Sequence, residues 1–427
     1  AWAARPPTAR AEVMRRAALL LEEHRAEAVE WLVREGGAVR GKAVFEVGAT
    51  LDELWTAAAL PTRPYGSLLP DGPDRISVAR RVPLGVVTVI SPWNFPLLLG
   101  MRALAPALAL GNAVVLKPDP RTAVAGGHLV AGLFAAAGLP AGVLHVLPGG
   151  PEPGRELTSH PEVAMVAFTG STEVGRAIGA QAGGLLKKMS LELGGNNAYL
   201  VLDDADLDAA AASGAWASFF HQGQVCMTAG RHIVLREVAD AYLERLAVVA
   251  DKLTTGDPWT AEVDLGPVID PIQQARVARI VDETVAAGAR LVAGGTADGP
   301  FYRPTVLAGV TPDMPAFTEE VFGPVAPVVV VADEDEAVAV ANRTAYGLVA
   351  AVSTGSAERG LALAGRLRTG IVHVNDQTIE DNAWIPFGGR GASGNGSRHG
   401  AEQSWEEFTQ WQWLTVRGVQ ERHGFGM

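Results

Sequence analysis

Only one cysteine, Cys226, occurs in 427 residues, which excludes an intrachain disulfide framework and any multi-cysteine metal site. A reducing, cytoplasmic setting is expected, with one thiol left to explain. Basic residues are outnumbered, 35 Lys+Arg against 47 Asp+Glu, for a formal charge of −12. A body this acidic repels nucleic acid and anionic membranes unless a basic stripe offsets it, and the candidates, Arg80-Arg81 and Lys187-Lys188, are isolated pairs. Charged residues make up 19% and apolar residues 48%, a balance that excludes a disordered chain. No basic leader with a following apolar stretch opens the sequence at Ala1, so no export is expected. The longest stretch without Asp, Glu, Lys or Arg runs from Thr122 to Pro151. Its glycines and prolines make it a folded core element and not a membrane span, with a helix from Thr122 to Ala137, a stop at Gly138-Leu139-Pro140 and a buried strand from Val143 to Leu147.

What is present indicates a large α/β protein. At roughly 100 to 200 residues per domain, the length predicts two or three domains. The 49 glycines and 27 prolines are scattered as punctuation without a repeat period, which suits many short turns. Thr8 to Glu35 carries apolar residues at helical spacing and predicts a surface helix pair or one long helix. Arg75 to Val82 alternates and Val86 to Ile90 is continuously apolar, so a half-exposed strand precedes a buried one. Strands at 113–116, 143–147 and 163–168 then alternate with helices at 121–137, 152–159 and 171–181. A second alternating block follows, with strands near 197–201, 290–293, 327–331, 348–352 and 370–374 and helices at 206–219, 237–252, 271–287, 334–342 and 356–366. Such units predict parallel sheets covered on both faces, joined near Gly194-Gly195, with the crevice between them as the ligand site.

Individual motifs carry chemistry with differing force. Phe168-Thr169-Gly170-Ser171-Thr172-Glu173-Val174-Gly175 lies where a strand ends and a helix begins, a place suited to phosphate, although it lacks the three-glycine dinucleotide spacing and fits an ordinary capped turn equally well. In Ser91-Pro92-Trp93-Asn94-Phe95-Pro96 two prolines stiffen the backbone, so the Asn94 amide suits an oxyanion hole, or else it satisfies the turn. Lys117, at the end of a strand, either borders the crevice or faces solvent. Cys226, after Gly223-Gln224-Val225, is a nucleophile or a small buried hydrophobe, and its separation from His221 does not by itself make a Cys/His pair. Glu192, at the end of an apolar strand and ahead of Leu193-Gly194-Gly195, has the desolvated setting of a general base.

Taken together, the Pro92–Pro96, Phe168–Gly175, Leu191–Gly195, Gly223–Cys226 and Glu319–Pro324 segments resemble the NAD(P)-dependent aldehyde dehydrogenase superfamily. The resemblance runs from near Trp2 to about Trp413. Within it, His221 to Cys226, Val374 to Gln377 and Pro386 to Gly394 look most like bacterial benzaldehyde dehydrogenases. The resemblance implies two α/β domains with parallel-type sheets plus a β oligomerisation arm: 1–64 and 83–193 for the dinucleotide, 194–395 for catalysis, 65–82 and 408–417 for the arm. It implies Cys226 as nucleophile, Glu192 as base for hydrolysis of a thioester, and Asn94 with the Cys226 backbone N–H as oxyanion donors. NAD or NADP, with NAD favoured, would be held by Trp93, Lys117, Pro120, Gly170, Ser171, Val174, Gly175, Glu320 and Phe322. No metal is implied. An apolar wall of Leu98, Leu99, Phe220, Val225 and Met227, with Arg102 and part of 377–384, implies a flat aromatic aldehyde as substrate.

The sequence departs from the family at two points. Members generally carry a further N-terminal stretch, including strands that extend the cofactor sheet. Many NAD-preferring members also place Glu where Pro120 stands, which leaves Arg121 as a candidate partner for a 2′-phosphate. Arg102 either pairs internally with Glu380 or Asp381 or binds a substrate group. The rival functions are a semialdehyde or CoA-acylating dehydrogenase and a catalytically idle nucleotide-binding protein; Cys226, Glu192 and Asn94 together favour the enzyme. The arm segments predict a homodimer or homotetramer.

Overall fold

The computed structural model describes residues 1–420. Three helices open the chain, α1 (Pro7–Glu23), α2 (Arg25–Gly36) and α3 (Arg40–Ala59). The first two are the expected surface pair, broken at His24, with Leu19, Glu22, Glu23, Glu27 and Glu30 turned to solvent and an inward face that is deeply packed. Ala17, Ala18, Leu21, Ala28 and Leu32 are buried in the largest apolar core. The third helix is absent from the sequence-based expectation for a physical reason. Ala43, Val47, Leu51 and Leu54 form its apolar inward stripe, and Lys42, Glu46, Thr50 and Glu53 beside them are buried as well, so polar side chains interleave with the apolar period.

Two arm strands follow, β1 (Gly66–Leu68) and β2 (Arg75–Pro83). Then come β3 (Val86–Ile90), α4 (Pro96–Ala109), β4 (Ala113–Lys117), α5 (Leu129–Ala136), β5 (Leu144–Val146), α6 (Pro151–Ser159), β6 (Val163–Thr169), α7 (Thr172–Gly184) and β7 (Lys188–Glu192). These five strands form one parallel sheet in the order β5-β4-β3-β6-β7. The chain steps outward from β3 in one direction and then returns to its other side at β6. A crevice therefore opens over the carboxyl end of β3, as in doubly wound sheets generally. Ile90, Lys117 and Thr169 end at that edge.

Two local expectations are corrected here. The segment expected as one helix at 121–137 is a short 3-10 turn (Pro120–Thr122), a π turn (Val124–His128) and then α5. The wide turn falls where Gly126 and Gly127 approach Pro96 and Pro118 so closely that a β-carbon on either would lie 2.9 Å from a proline carbon. The strand expected to be buried at 143–147 is instead half-exposed, because β5 is the edge of its sheet.

The chain leaves the first sheet at Glu192 and enters the second at β8 (Ala198–Val201). That sheet adds α8 (Leu207–Phe219), β9 (Arg231–Leu235), β10 (Arg290–Ala293), the small hairpin β11 (Ala297–Asp298) and β12 (Phe301–Tyr302), β13 (Thr305–Ala308), β14 (Val325–Val331), β15 (Val349–Ser353) and β16 (Ile371–Val374). Its seven strands run in the order β10-β13-β14-β9-β8-β15-β16, parallel except for β10. Strand β9 escaped the sequence reading because it starts with Arg231 and His232, two side chains that are nonetheless fully buried. The Arg231 guanidinium donates to the carbonyls of Asn196, Val340 and Ala341. A final strand, β17 (Thr409–Arg417), pairs antiparallel with β2 over nine residues. Trp411 and Trp413 stand exposed along it. Among the described residues, no helix is long and apolar enough to cross a membrane, and no cluster of His, Cys, Asp or Glu could hold a metal ion.

Candidate active site

The loop that carries Asn94 leaves β3 at the crevice and enters α4 at Pro96. Its shape is set by α3, through residues that the sequence reading missed. Lys42 Nζ donates to the carbonyl of Asn94 at 2.6 Å and pairs with Glu46. Glu46 Oε1 in turn accepts from the Leu97 and Leu98 N–H groups at 2.9 and 3.3 Å. These are free N–H groups of the first turn of α4, where a carboxylate is favoured. The Asn94 amide, itself buried, donates to the carbonyl of Gln224 at 2.9 Å. The oxyanion candidate is thereby tied to the loop that precedes Cys226.

That loop is held from several sides. His221, Gln222 and Gly223 are all left-handed, with φ of 50°, 57° and 66°, a conformation that non-glycine residues adopt only at a cost. The Gln222 amide donates to the carbonyls of Gly37 and Pro267, and Thr228 Oγ1 to that of Gly223. Behind the cysteine, Asn197 Nδ2 donates to the carbonyls of both Cys226 and Thr228 at 2.8 Å. A side chain at Gly195 would collide with the Cys226 carbonyl, and one at Gly194 with the Glu320 carboxyl. This gives the Leu191–Gly195 motif a steric reason for both glycines. Asn197 carried no sequence signal, being a plain Asn before a strand.

Glu192 ends β7 and is buried, with both carboxyl oxygens unpartnered among the described residues. Burial therefore holds its pKa well above the usual carboxylate range. Cys226 is half-buried. Burial, with the nearby Glu320 and Glu192 carboxyls, pushes its thiol up to about 12. The thiolate is the reactive form, so without nucleotide the alkylation of Cys226 by iodoacetamide should quicken about tenfold per pH unit from neutrality upward. A rate that levels off near neutral pH would contradict this. His221 is buried, and its pKa is held well below the ordinary value, first by burial and then by Lys42, against the opposing pull of the Asn94 backbone. It is a neutral imidazole packed against Phe95, with ring centroids 5.5 Å apart.

The residues expected to hold a dinucleotide gather at the carboxyl edge of the first sheet. Trp93 and Phe322 meet edge to face with centroids 5.5 Å apart, although they are far apart in the chain. Lys117 is buried at the end of β4, which excludes the solvent-facing alternative, and burial lowers its pKa. Ser171 caps α7 by accepting from the Val174 N–H at 3.4 Å. Gly170 donates to the Glu192 carbonyl at 3.0 Å, and a β-carbon at Gly175 would collide with Leu193. Pro120 begins the 3-10 turn next to them. Glu320 accepts from the Gly195 N–H at 2.8 Å, and burial raises its pKa to about 7. Arg121 does not have the free charge that a 2′-phosphate needs. It pairs with Asp119 at 2.8 Å and with Asp270 at 2.6 Å.

Around Cys226 lies one apolar cluster that contains Leu98, Leu99, Phe220, Val225 and Met227, joined by Phe95, Ile379 and Phe387. All five apolar wall residues expected from the sequence are thus brought together. Beside it a groove of about 930 Å³ is lined by Phe45, Trp216, Phe220, Gln377 and Ile379 among others, and Trp216 stacks on Phe220 at 4.5 Å.

The profile of the aldehyde dehydrogenase family matches residues 1–414. The chain belongs to this family. It is 54% identical over 419 residues to a vanillin dehydrogenase of Amycolatopsis sp., covering 98% of this chain and 86% of that one. It is 51% identical over 416 residues to an NAD(+) benzaldehyde dehydrogenase of Pseudomonas putida, covering 97% and 85%. Among solved structures, an NAD-dependent aldehyde dehydrogenase from Sinorhizobium meliloti superposes with a TM-score of 0.94 at 34% identity, covering 99% of this chain and 85% of that one. The chain is thus an aldehyde dehydrogenase in fold and family, with the parallel sheet, the mostly parallel sheet and the antiparallel arm described above.

Proposed function

We propose that the protein oxidises an aromatic aldehyde to its carboxylic acid through a thioester on Cys226, with NAD as the favoured acceptor. The observation that carries this reading is the junction at Cys226, where a half-buried thiol, a buried unpartnered carboxyl and an apolar aromatic-lined wall adjoin the carboxyl edge of a doubly wound sheet. The residues there fit a dinucleotide. A buried cation at Lys117, a capped helix start at Ser171 and the Trp93–Phe322 pair stand near the carboxyl edge of the first sheet, where Gly170 and Gly175 let the backbone pack closely on Phe168 and Leu193. Pro120 and Val174 complete the rim of the crevice, and Glu320 is the residue for the nicotinamide ribose. When bound, NAD accepts the hydride that leaves the aldehyde carbon.

The chain's own residues do the rest. The Cys226 thiolate attacks the aldehyde carbon and a C–S bond forms. The Asn94 amide and the Cys226 N–H hold the oxygen that becomes negative. Loss of hydride leaves a thioester. Glu192 takes a proton from the water that attacks it, the C–S bond breaks, and acid and thiolate are released. The buried carboxyl beside the thioester favours water over CoA as the acyl acceptor. The double pairing of Arg121 favours NAD over NADP, since a 2′-phosphate would meet Asp119 and Asp270. In this assignment 1–64 and 83–193 form the dinucleotide domain and 194–395 the catalytic domain. The single thiol suits a cytoplasmic enzyme.

The wall around Cys226 favours a flat ring, whose burial is worth on the order of 2–3 kcal/mol that a small hydrated aldehyde cannot match. Mixed with NAD or NADP, with and without CoA, the protein should reduce nucleotide with benzaldehyde and NAD irrespective of CoA. A higher specificity constant for acetaldehyde or succinic semialdehyde would refute the aromatic assignment and leave the dehydrogenase chemistry standing. Residues 65–82 and 408–417 are the proposed arm, because β17 lies along a sheet edge with Trp411 and Trp413 exposed. Light scattering at micromolar concentration should give a dimer or tetramer, and a monomer would refute it.

A further inference from the structure

Three charged side chains beside the Cys226 wall have no part in the cycle just described. Arg102 Nε donates to Glu53 Oε1 at 3.0 Å, and Arg102 Nη2 pairs with Asp381 Oδ2. Each of the three adjoins a member of the apolar cluster. Arg102 lies one helical turn beyond Leu98 on α4, Glu53 lies one turn beyond Ala49 on α3, and Asp381 follows Ile379 by two residues. Residues four apart on a helix share a face. The Arg102 guanidinium also sits over the ring of another cluster member, Phe387, 4.5 Å from its centroid. The triad therefore lies against the apolar cluster around Cys226, and the charges of Arg102 and Asp381 act on both the Cys226 thiol and the Glu192 carboxyl.

Two atoms of the triad are left over. Arg102 Nη1, a donor, and Asp381 Oδ1, an acceptor, are buried and have no partner among the described residues, and Arg102 is only 5% exposed. Buried polar groups are rarely left unpaired, and those that are call for an explanation. A donor and an acceptor on one ion pair match a ligand group that accepts one hydrogen bond and donates another. A phenolic hydroxyl does both. A carboxylate would satisfy Nη1 but be pressed against Asp381 and Glu53, and a methyl group would satisfy neither.

We propose that Arg102 and Asp381 form a specificity subsite for a hydroxyl on the substrate ring, with Arg102 Nη1 donating to the hydroxyl oxygen and the hydroxyl donating to Asp381 Oδ1. This rests on the aldehyde oxidation proposed above and adds a ring substituent to it. Glu53 is a positioning residue that holds Nε. The subsite also disfavours anionic semialdehydes, because two carboxyls flank its single cation.

The test compares 3- and 4-hydroxybenzaldehyde with the 3- and 4-methyl compounds, whose substituent is similar in size but cannot hydrogen-bond. Assays run below neutral pH keep the hydroxyl protonated. The natural protein should favour hydroxyl over methyl in kcat/KM by at least about tenfold at one of the two ring positions. Arg102→Met should bring that ratio to within about threefold of unity. Because that change strands two buried carboxyls, a triple variant with Arg102→Met, Glu53→Met and Asp381→Leu removes the whole triad, a replacement that folded proteins often tolerate. It should lose the ratio equally. A ratio near one at both positions in the natural protein, or a ratio unchanged in a folded variant, would overturn the subsite while benzaldehyde oxidation remained. Absence of turnover with every aldehyde, benzaldehyde included, would overturn the underlying function as well.

Discussion

Cys226→Ala should abolish aldehyde oxidation, by at least about 10⁴-fold in kcat/KM, because no other side chain in the site can form the covalent bond. The nucleotide should bind nearly as before. Most residues of the crevice belong to the ends of β3, β4 and β6 and the start of α7, with Pro120 in the turn after β4 and Glu320 and Phe322 just ahead of β14, and among the described residues none is hydrogen-bonded to the Cys226 side chain. The loop is instead held through backbone carbonyls, with Asn197 on that of Cys226 and Asn94 on that of Gln224. Calorimetric titration with NAD separates the two effects. Turnover above a hundredth of the natural rate would exclude Cys226 as nucleophile, and loss of NAD binding would show that the thiol also supports the crevice.

Glu192→Gln should act on the second half of the cycle alone. The substitution keeps the shape of a buried side chain while removing its ability to take a proton. Acylation proceeds and hydrolysis stalls. In rapid mixing, a burst of about one reduced nucleotide per site should precede a steady rate at least a hundredfold slower, a loss of about 2.7 kcal/mol in transition-state stabilisation. A uniformly slow trace without a burst would move Glu192 into the first half-reaction. The raised pKa of Glu192 has a further consequence in the natural protein. Its carboxylate form gains population as pH rises, so the hydrolytic rate should increase with pH over the same range in which the thiol becomes more reactive.

Much of this site was legible before any tertiary contact was known, and the legible part shares one property. Asn94, Lys117, Gly170, Ser171, Glu192 and Cys226 each stand where a strand ends or a glycine- or proline-marked turn begins. Periodicity and turn chemistry locate such boundaries from a few neighbouring residues. In a parallel sheet, consecutive strand ends face the same edge, so placing these residues on strand ends already placed most of them at one crevice. The resemblance to aldehyde dehydrogenases rested on the same local motifs, and the family match agrees with it.

The parts that stayed hidden depend on contacts between residues distant in the chain. The buried charges of α3 are an example: Lys42, Glu46 and Glu53 look solvated until Asn94, the start of α4 and Arg102 are brought against them. Arg121 looked available for a phosphate because Asp270, 149 residues away, has no sequence relation to it. The internal partners of Arg102, Glu53 and Asp381, lie 49 and 279 residues away and meet its guanidinium only in the fold. By itself the sequence determined the class of fold, the family and the candidate residues for chemistry, because strand ends, turns and helix starts are written in short stretches. Only the tertiary structure decided which buried charges neutralise one another and which polar atoms remain free, since electrostatic pairing is a matter of a few ångströms in space and carries no period along the chain.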